Sequence, residues 1–213
     1  MNCLNVFLLG TPGCGKSEVY RRISSRLEEE DIAHEFERVD DFPILWNLFQ
    51  EDTERERSRK TEDGGFKVTD PTVWDDILKQ LNKQIKDKQA PDKVLFIEFS
   101  RPNYVDSIQK NFDDEILSSA MAVYIWAPFD VCWERNVQRH EEAVAEGDDD
   151  HLVSREEMEE TYGSDDHDQL KEELELPVVI VDNESDSFDE LDEEVERVLE
   201  AIKKNFTAEE ATA

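Results

Sequence analysis

Short apolar runs alternate with longer amphipathic stretches along the chain. Residues 94–97 and 178–181 are continuously apolar, a pattern typical of parallel strands that helices cover on both faces. Runs of this kind predict five strands, at residues 5–9, about 33–39, 93–99, 121–126 and 177–181. Strands that alternate with helices in this way predict βαβ units around a parallel sheet.

The helical stretches between these strands begin at recognisable signals. A polar residue with Pro one position later, or with Glu three positions later, marks a helix N-terminus. Such pairs are Asp70 with Pro71, Ser154 with Glu157, and Ser187 with Glu190. Two of the helices that follow present an apolar stripe, formed by Trp74, Leu78, Leu81 and Ile85 and by Leu191, Val195, Val198 and Ile202. We expect both stripes to belong to the core.

The length of the chain, 213 residues, suits one α/β domain with a substantial core. We predict a single domain over residues 1–206 and a small, polar tail at 207–213 that frays. Two charged segments interrupt the pattern, a flap at about 42–69 and a strongly acidic, lid-like insertion at about 141–168. Each lies just past a strand and helix unit, where a mobile segment over a site is expected.

The charge balance of the chain is strongly acidic. Lys and Arg number 24 against 55 Asp and Glu, which gives a formal net charge of −31. A field of this sign repels nucleic acid backbones and anionic membrane surfaces, so nucleic acid is disfavoured as a partner. Because acidic residues lie on nearly every predicted helix, we interpret the surface as adapted to high salt, with an acidic interaction surface as the alternative.

The cysteines and the apolar runs indicate in which cellular compartment the protein is expected. Cys3, Cys14 and Cys132 are widely spaced and odd in number, which supports neither a disulfide framework nor a metal site. The first apolar stretch has no basic lead-in, and no apolar run approaches the length of a membrane span. We therefore expect a protein of the reducing cytoplasm without a membrane partner, and no feature specifies its oligomeric state.

The stretch after the first predicted strand matches the phosphate-loop pattern G-x-x-x-x-G-K-[ST]. Its residues are Gly10, Thr11, Pro12, Gly13, Cys14, Gly15, Lys16 and Ser17. Glycines let such a loop wrap a phosphate with its backbone N–H groups. Lys16 is expected to bridge the outer phosphates of ATP, and the Ser17 hydroxyl to bind Mg²⁺. A turn that binds nothing is the alternative, but it gives no reason for Lys followed by Ser.

Polar residues follow the next three predicted strands at regular places. Asp40 and Asp41 end the second strand, Glu98 and Arg101 end the third, and Arg135 and Arg139 follow the fourth. With the loop, these residues resemble the P-loop nucleotide-kinase-like family, which includes adenylate kinases, shikimate kinases and related small-molecule and polynucleotide kinases. A switch GTPase is disfavoured, because the chain contains neither D-x-x-G nor N-K-x-D.

The resemblance implies a fold and an activity. The fold is a three-layer α/β P-loop fold with a five-stranded parallel sheet in the order 2-3-1-4-5 and helices on both faces. The activity is transfer of the γ-phosphoryl group of ATP, with Mg²⁺, to a hydroxyl or phosphate of a small acceptor, with a nucleotide or nucleoside among the candidates. Arg135 and Arg139, four residues apart on one helix face, correspond to the arginines that close over the triphosphate. Their alternative role is pairing with nearby glutamates.

Carboxylates at strand ends are the candidates for proton and metal chemistry. Because the carboxyl ends of parallel strands open on the ligand crevice, we expect these side chains to meet on the loop side. Asp40 or Asp41 is the predicted base for the attacking hydroxyl, and Glu98 with Ser17 the predicted metal shell. The alternative for each carboxylate is a cap on the helix that follows.

Positive charge gathers at one place in this acidic chain, within residues 55–60. This segment lies where nucleotide kinases carry the acceptor-side flap. We predict that Arg57 and Arg59, with Arg101, hold an anionic group of the acceptor. The alternative is a solvated helix in which arginines and glutamates pair.

A second class of function stays open at the level of sequence. Residues 178–184 end in Asp182 and Glu184, and this stretch resembles a Walker B strand as much as residues 93–98 do. A P-loop ATPase with a regulatory or assembly role, and no small acceptor, is therefore the alternative to a kinase.

Overall fold

The computed structural model of the protein describes residues 3–62, 65–146 and 152–207. Within them the strands are, in chain order, β1 (Leu4–Leu9), β2 (Glu35–Asp40), β3 (Ser58–Lys60), β4 (Phe66–Val68), β5 (Lys93–Phe99), β6 (Ala120–Trp126) and β7 (Val178–Asp182). Five of them form a parallel sheet in the order β2-β5-β1-β6-β7, and β3 pairs with β4 as an antiparallel hairpin. Counted along the chain, the five sheet strands have the predicted order 2-3-1-4-5.

Helices cover both faces of this sheet. They are α1 (Lys16–Glu29), α2 (Phe42–Glu51), α3 (Thr72–Lys88), α4 (Tyr104–Asn111), α5 (Asp114–Leu117), α6 (Phe129–Glu146), α7 (Arg155–Thr161), α8 (Leu170–Glu173) and α9 (Phe188–Thr207), with a 3-10 helix at His167–Gln169. No helix in the described ranges combines the length and the apolar character needed to span a bilayer.

The central strand β1 divides the core into two layers. Phe7 and Leu9 pack with residues of α3 and α4 on one face, whereas Val6 and Leu8 pack with residues of α1 and α9 on the other. Side chains alternate between the faces of a strand, and all six residues of β1 are buried. A strand buried on both faces is continuously apolar, which is why the sequence pattern located it.

The predicted strands agree with the observed ones to within two residues at each end. The helix signals are also confirmed where they concern a cap: Thr72 N donates to Asp70 Oδ1 at 3.0 Å, and Glu190 N donates to Ser187 Oγ at 3.3 Å. The stripe of α9 is buried as expected. In α3 one position differs, because Trp74 is half-buried beside a cavity while Val73 and Ile77 take core positions.

The two predicted insertions contact one another in the fold. The segment at 42–69 forms α2 and the β3–β4 hairpin, and Phe66 of the hairpin makes a parallel bridge with Val153, just before α7. Lys67 Nζ lies 3.0 Å from a carboxylate oxygen of Glu156 in α7. Within 141–168, residues 147–151 lie outside the described residues. Of the predicted tail, α9 reaches Thr207 and residues 208–213 also lie outside them.

Candidate active site

The turn from β1 into α1 has positions that only glycine can occupy, and Gly13 and Gly15 show why. Gly13 has a φ of +85° and Gly15 a φ of +102°. A Cβ on Gly13 would lie 2.1 Å from the carbonyl oxygen of Cys132, and one on Gly15 would lie 2.3 Å from Nδ2 of Asn183. Only glycine combines a left-handed backbone with such close approach, so the loop packs directly against α6 and the end of β7.

The Lys16 ammonium is bonded back to the loop. Nζ donates to the carbonyl oxygens of Gly10 at 2.8 Å and Thr11 at 3.2 Å, and to Oγ of Ser100 at 3.0 Å. Ser100 Oγ donates to the Gly10 oxygen at 2.7 Å, and the Gly10 N–H donates to the Tyr104 hydroxyl at 3.0 Å. The ammonium is thus preorganised at the N-terminus of α1, where a phosphate can replace oxygen partners of the same kind.

The end of β7 braces the loop from the other side. Asn183 Nδ2 donates to the Cys14 carbonyl oxygen at 2.7 Å, and the Asn183 carbonyl accepts from Arg135 at 2.9 Å. Burial raises the pKa of the Cys14 thiol, which keeps it protonated and unreactive. Asn183 therefore links the loop, through its side chain, to Arg135, through its backbone carbonyl.

We expect Gly13→Ala to lower the stability of the protein by at least about 2 kcal/mol, because Cβ would overlap the Cys132 carbonyl in a strained backbone. The stabilisation by nucleotide should fall with it, since the loop must shift to relieve the overlap. Thermal melts with and without Mg-ATP measure both effects. Ser25→Ala, at an exposed site on α1, should change stability by less than about 0.5 kcal/mol. A wild-type melting profile for Gly13→Ala would contradict this account of the loop.

Three groups at the ends of β2, β5 and the loop converge on one arginine. Asp40 and Glu98 are in register across β2 and β5. The Arg38 guanidinium lies 3.0 Å from Asp40 Oδ2 and 2.8 Å from Glu98 Oε2, and it donates to Ser17 Oγ at 3.2 Å. Burial raises the pKa of Glu98, against the lowering effect of Lys16. The predicted metal residues Ser17 and Glu98 are therefore neighbours, with Arg38 between them.

The oxygen donors of this group fit Mg²⁺. In the described ranges no three His, Cys, Asp or Glu side chains are placed to hold a metal ion by themselves. Magnesium that arrives with ATP needs only one or two protein oxygens, because phosphates and waters supply the other ligands. Ser17, Asp40 and Glu98 offer such oxygens, and Arg38 would have to move aside to release them.

Asp41 and Arg101 form a buried ion pair next to this group. Arg101 Nη1 lies 2.7 Å from Asp41 Oδ2, and the guanidinium stacks 4.7 Å from the centre of the Trp74 ring. The arginine is 2% exposed, and its Nε and Nη2 have no hydrogen-bond partner among the residues that the structure describes. Burial raises the pKa of Asp41 to about 6, although Arg101 opposes the rise. A carboxyl group with this pKa can accept a proton near neutral pH.

All these groups line one cavity of about 440 Å³. One part, which we call the loop half, is lined by Gly13, Gly15, Lys16, Ser17, Arg38, Asp40, Glu98, Ser100, Arg135 and Arg139. The other, which we call the aromatic half, is lined by Phe42, Leu45, Phe49, Phe66, Val68, Trp74, Val153 and Tyr162, with Asp41, Arg101 and Glu157. The cavity thus joins a polar, phosphate-sized end to an apolar end.

Five of the predicted residues do not line the cavity: Gly10, Thr11 and Cys14 of the loop, and the two flap arginines. Arg57 pairs with Asp70 at 3.1 Å and with Asp76 at 2.6 Å, and Arg59 pairs with Glu156. Arg135, by contrast, lines the loop half while it pairs with Asp186 at 3.0 Å. To hold an acceptor in this cavity, as the sequence predicted, Arg57 and Arg59 would have to leave these partners.

Several side chains of the site were missed at the level of sequence. Arg38 is two residues before Asp40 in β2, so the two side chains share a face, and this spacing was the available signal. Ser100 and Asn183 each follow a strand end. Glu157 was interpreted as one half of a capping box, but only the Ser154 half is formed: Ser154 Oγ accepts from Glu157 N at 3.1 Å, while Glu157 Oε1 accepts from Thr161 at 3.0 Å.

A parallel sheet in this order, with a glycine loop between β1 and α1, defines the P-loop kinase-like fold. Solved structures show the same fold. The APS kinase of Mycobacterium tuberculosis in complex with AMPPNP and APS is similar over 95% of this chain and 98% of its own, with a TM-score of 0.55 and 11% identity. A sugar kinase from Janibacter sp. HTCC2649 is similar over 93% of each chain, with a TM-score of 0.51 and 11% identity. No protein-family model and no curated protein sequence matches the chain.

Proposed function

We propose that this chain is an ATP-dependent phosphotransferase that moves the γ-phosphoryl group to a small acceptor. The observation that carries the proposal is one continuous cavity, which has Lys16 in the loop half and the buried pair of Asp41 and Arg101 in the aromatic half. A phosphate donor and an acceptor can therefore meet in one shared cavity. The APS kinase of the same fold, solved with a nucleotide analogue and an acceptor together, supports this use of the cavity.

The loop half is suited to hold the triphosphate. The backbone N–H groups of the loop and the N-terminus of α1 attract the β- and γ-phosphates, and Lys16 exchanges its loop oxygens for phosphate oxygens. Arg135 and Arg139 neutralise charge that spreads over the γ-phosphoryl group during transfer. Ser17, Glu98 and Asp40 would hold Mg²⁺, whose charge would help to neutralise the phosphates.

Asp41 is the proposed base. As the acceptor oxygen forms its bond to the γ-phosphorus, the Asp41 carboxylate takes the hydroxyl proton; the bond from phosphorus to the β-phosphate oxygen breaks, and ADP leaves. Asp40 is the weaker candidate, because Arg38 ties its carboxylate to the metal side. Arg101 holds Asp41 in place and presents Nε and Nη2 to an acceptor oxygen. Enclosure by α7 and the hairpin limits access of water, which protects ATP from hydrolysis.

The geometry favours a phosphotransferase over a regulatory ATPase. The alternative requires a carboxylate of β7 beside the nucleotide. Asp182 is exposed at the edge strand of the sheet and does not line the cavity, whereas Glu98, on the strand next to β1, does. The strand-end carboxylate beside the phosphate loop is therefore Glu98 of β5.

Acceptor-dependent ATP turnover tests the proposal. ADP formation with Mg-ATP is expected to rise at least about tenfold when the right member of a panel of small alcohols and phosphate esters is added, because transfer requires a bound acceptor. We propose that the acidic surface is adapted to high salt, so the assay is run from low to molar KCl. Turnover that responds to a protein extract and to no small acceptor would instead support the regulatory ATPase.

A further inference from the structure

The aromatic half offers apolar ring surface from several elements. Phe42 and Phe49 come from α2, Phe66 from β4, Trp74 from α3, and Tyr162 from the end of α7. The rings of Phe49 and Phe66 stack at 4.8 Å, and the Trp74 and Tyr162 rings meet edge to face at 6.5 Å. Fixed ring surfaces of this kind favour a flat apolar group on the ligand, because two aromatic groups gain energy beyond the area they bury.

Few cations line the aromatic half, although Arg55 and Lys60, outside its lining, lie 5.3 Å and 5.9 Å from the centre of the Phe66 ring. Among the described residues that line it, Arg101 is the cation, and Asp41 already neutralises it at 2.7 Å. Lys67 lies between two lining residues of the hairpin, but its ammonium forms ion pairs with Glu156 and Glu160. Both a neutral and an anionic oxygen can accept from Nε and Nη2, but an anion would leave its own charge unmatched beside an arginine that Asp41 already neutralises.

Glu157 adds a second carboxylate, which forms no ion pair within the described ranges, although Lys67 lies near enough to oppose the rise in its pKa. Its side chain lines the aromatic half and the residue is 4% exposed. Oε1 accepts from Thr161, and Oε2 is buried without a hydrogen-bond partner in the described part of the chain. Burial raises the pKa of Glu157 to about 7. Above about pH 7, where Glu157 is ionised, a ligand hydroxyl or N–H can satisfy this oxygen, whereas a phosphate or carboxylate beside it meets repulsion that salt screens weakly in a buried site. Neutral and anionic ligands are therefore compared above that pH.

We propose that the acceptor is an uncharged hydroxyl compound carrying a flat ring, of the nucleoside class, and not a phosphate ester or a carboxylic acid. The inference rests on the proposed function and specifies the chemical class of its acceptor. Asp41 faces the reacting hydroxyl, Arg101 donates to a neutral ligand oxygen, Glu157 accepts from a ligand donor, and the aromatic rings contact the flat group. The predicted anion-binding role of Arg57 and Arg59 has no place in this arrangement.

Charge-matched ligand pairs test the inference by calorimetry. The chain is titrated with Mg-AMPPNP first, and then, with that site saturated, with each of four common ribonucleosides and its 5′-monophosphate, with ribose and with shikimate. At least one nucleoside should bind about tenfold or more tightly than its monophosphate, and ribose and shikimate should bind more weakly than that nucleoside. A monophosphate or shikimate that binds as tightly as any nucleoside, or the absence of nucleoside binding, would overturn the inference.

A substitution at Glu157 assigns the discrimination to its carboxylate. Glu157→Gln should reduce the preference for nucleoside over monophosphate at least about threefold, because the neutral amide no longer repels the phosphate. Glu159→Gln, on the exposed face of the same helix, should leave the preference unchanged. An unchanged preference in Glu157→Gln would contradict the role of this residue. The absence of heat with Mg-AMPPNP would count against the proposed function instead. In that case each nucleoside and its monophosphate, titrated into the protein without Mg-AMPPNP, still test the preference for a neutral ligand.

Discussion

Lys16→Ala is expected to abolish the stabilisation of the protein by Mg-ATP. A ligand at about one hundred times its Kd stabilises a fold by about 2.7 kcal/mol, and this increment should vanish because the loop loses the ammonium that faces the outer phosphates. Phosphoryl transfer should fall by about a thousandfold, the order seen when one transition-state charge contact is removed. Thermal melts at increasing Mg-ATP and single-turnover transfer measure the two effects.

The fold itself should survive this substitution. Ser100 still donates to the Gly10 oxygen, and Tyr104 still accepts from the Gly10 N–H, so the loop keeps two contacts that do not involve Lys16. Lys110→Ala removes a lysine whose partner is Asp75 on the surface, and it should leave both nucleotide stabilisation and turnover unchanged. Equal stabilisation by Mg-ATP in Lys16→Ala and the wild type would remove the basis of the proposed function.

The parts of the fold that depend on local pattern were predictable. The strands β1 and β5 are buried on both faces, so a continuous apolar run marks each of them. The helices α3 and α9 bury one stripe, and a period of 3.6 residues reveals it. The strand order required the resemblance to a known family, because nothing in the apolar pattern of one strand specifies its neighbour.

The site was predictable only where backbone and spacing decide the outcome. The loop is contiguous in sequence, and the strand-end carboxylates follow from the topology of a parallel sheet. Arg57 and Arg59 could not be placed, because their partners Asp76 and Glu156 are far along the chain. Glu157 has the spacing of a cap, and only the tertiary contacts of α7 with β4 turn its side chain to the cavity.

Asp41→Asn is expected to reduce phosphoryl transfer by about a hundredfold to ten-thousandfold, the range associated with loss of a general base. The amide keeps the shape of the carboxylate but cannot take the hydroxyl proton. Binding of Mg-ATP should change little, since the loop half is intact. The fold should lose up to about 3 kcal/mol, because the substitution leaves the charge of Arg101 buried and unmatched.

Asp40→Asn should instead raise the Mg²⁺ concentration needed for half-maximal rate, because this carboxylate lies on the metal side.

The pH dependence separates a base from a residue that only positions Arg101. The pKa of Asp41 is raised to about 6 in the folded chain, so the transfer rate should rise as the pH increases through about 6 and then level off as Asp41 ionises. This rise should be absent from the residual activity of Asp41→Asn. The free energy of unfolding should show the opposite trend. Because the folded state binds the Asp41 proton more tightly than the unfolded state, the stabilisation that this proton contributes declines as the pH rises from about 4 to about 6. A rate profile that keeps its rise near pH 6 in Asp41→Asn would assign the titration to another group, and Asp41 would then be a structural partner of Arg101.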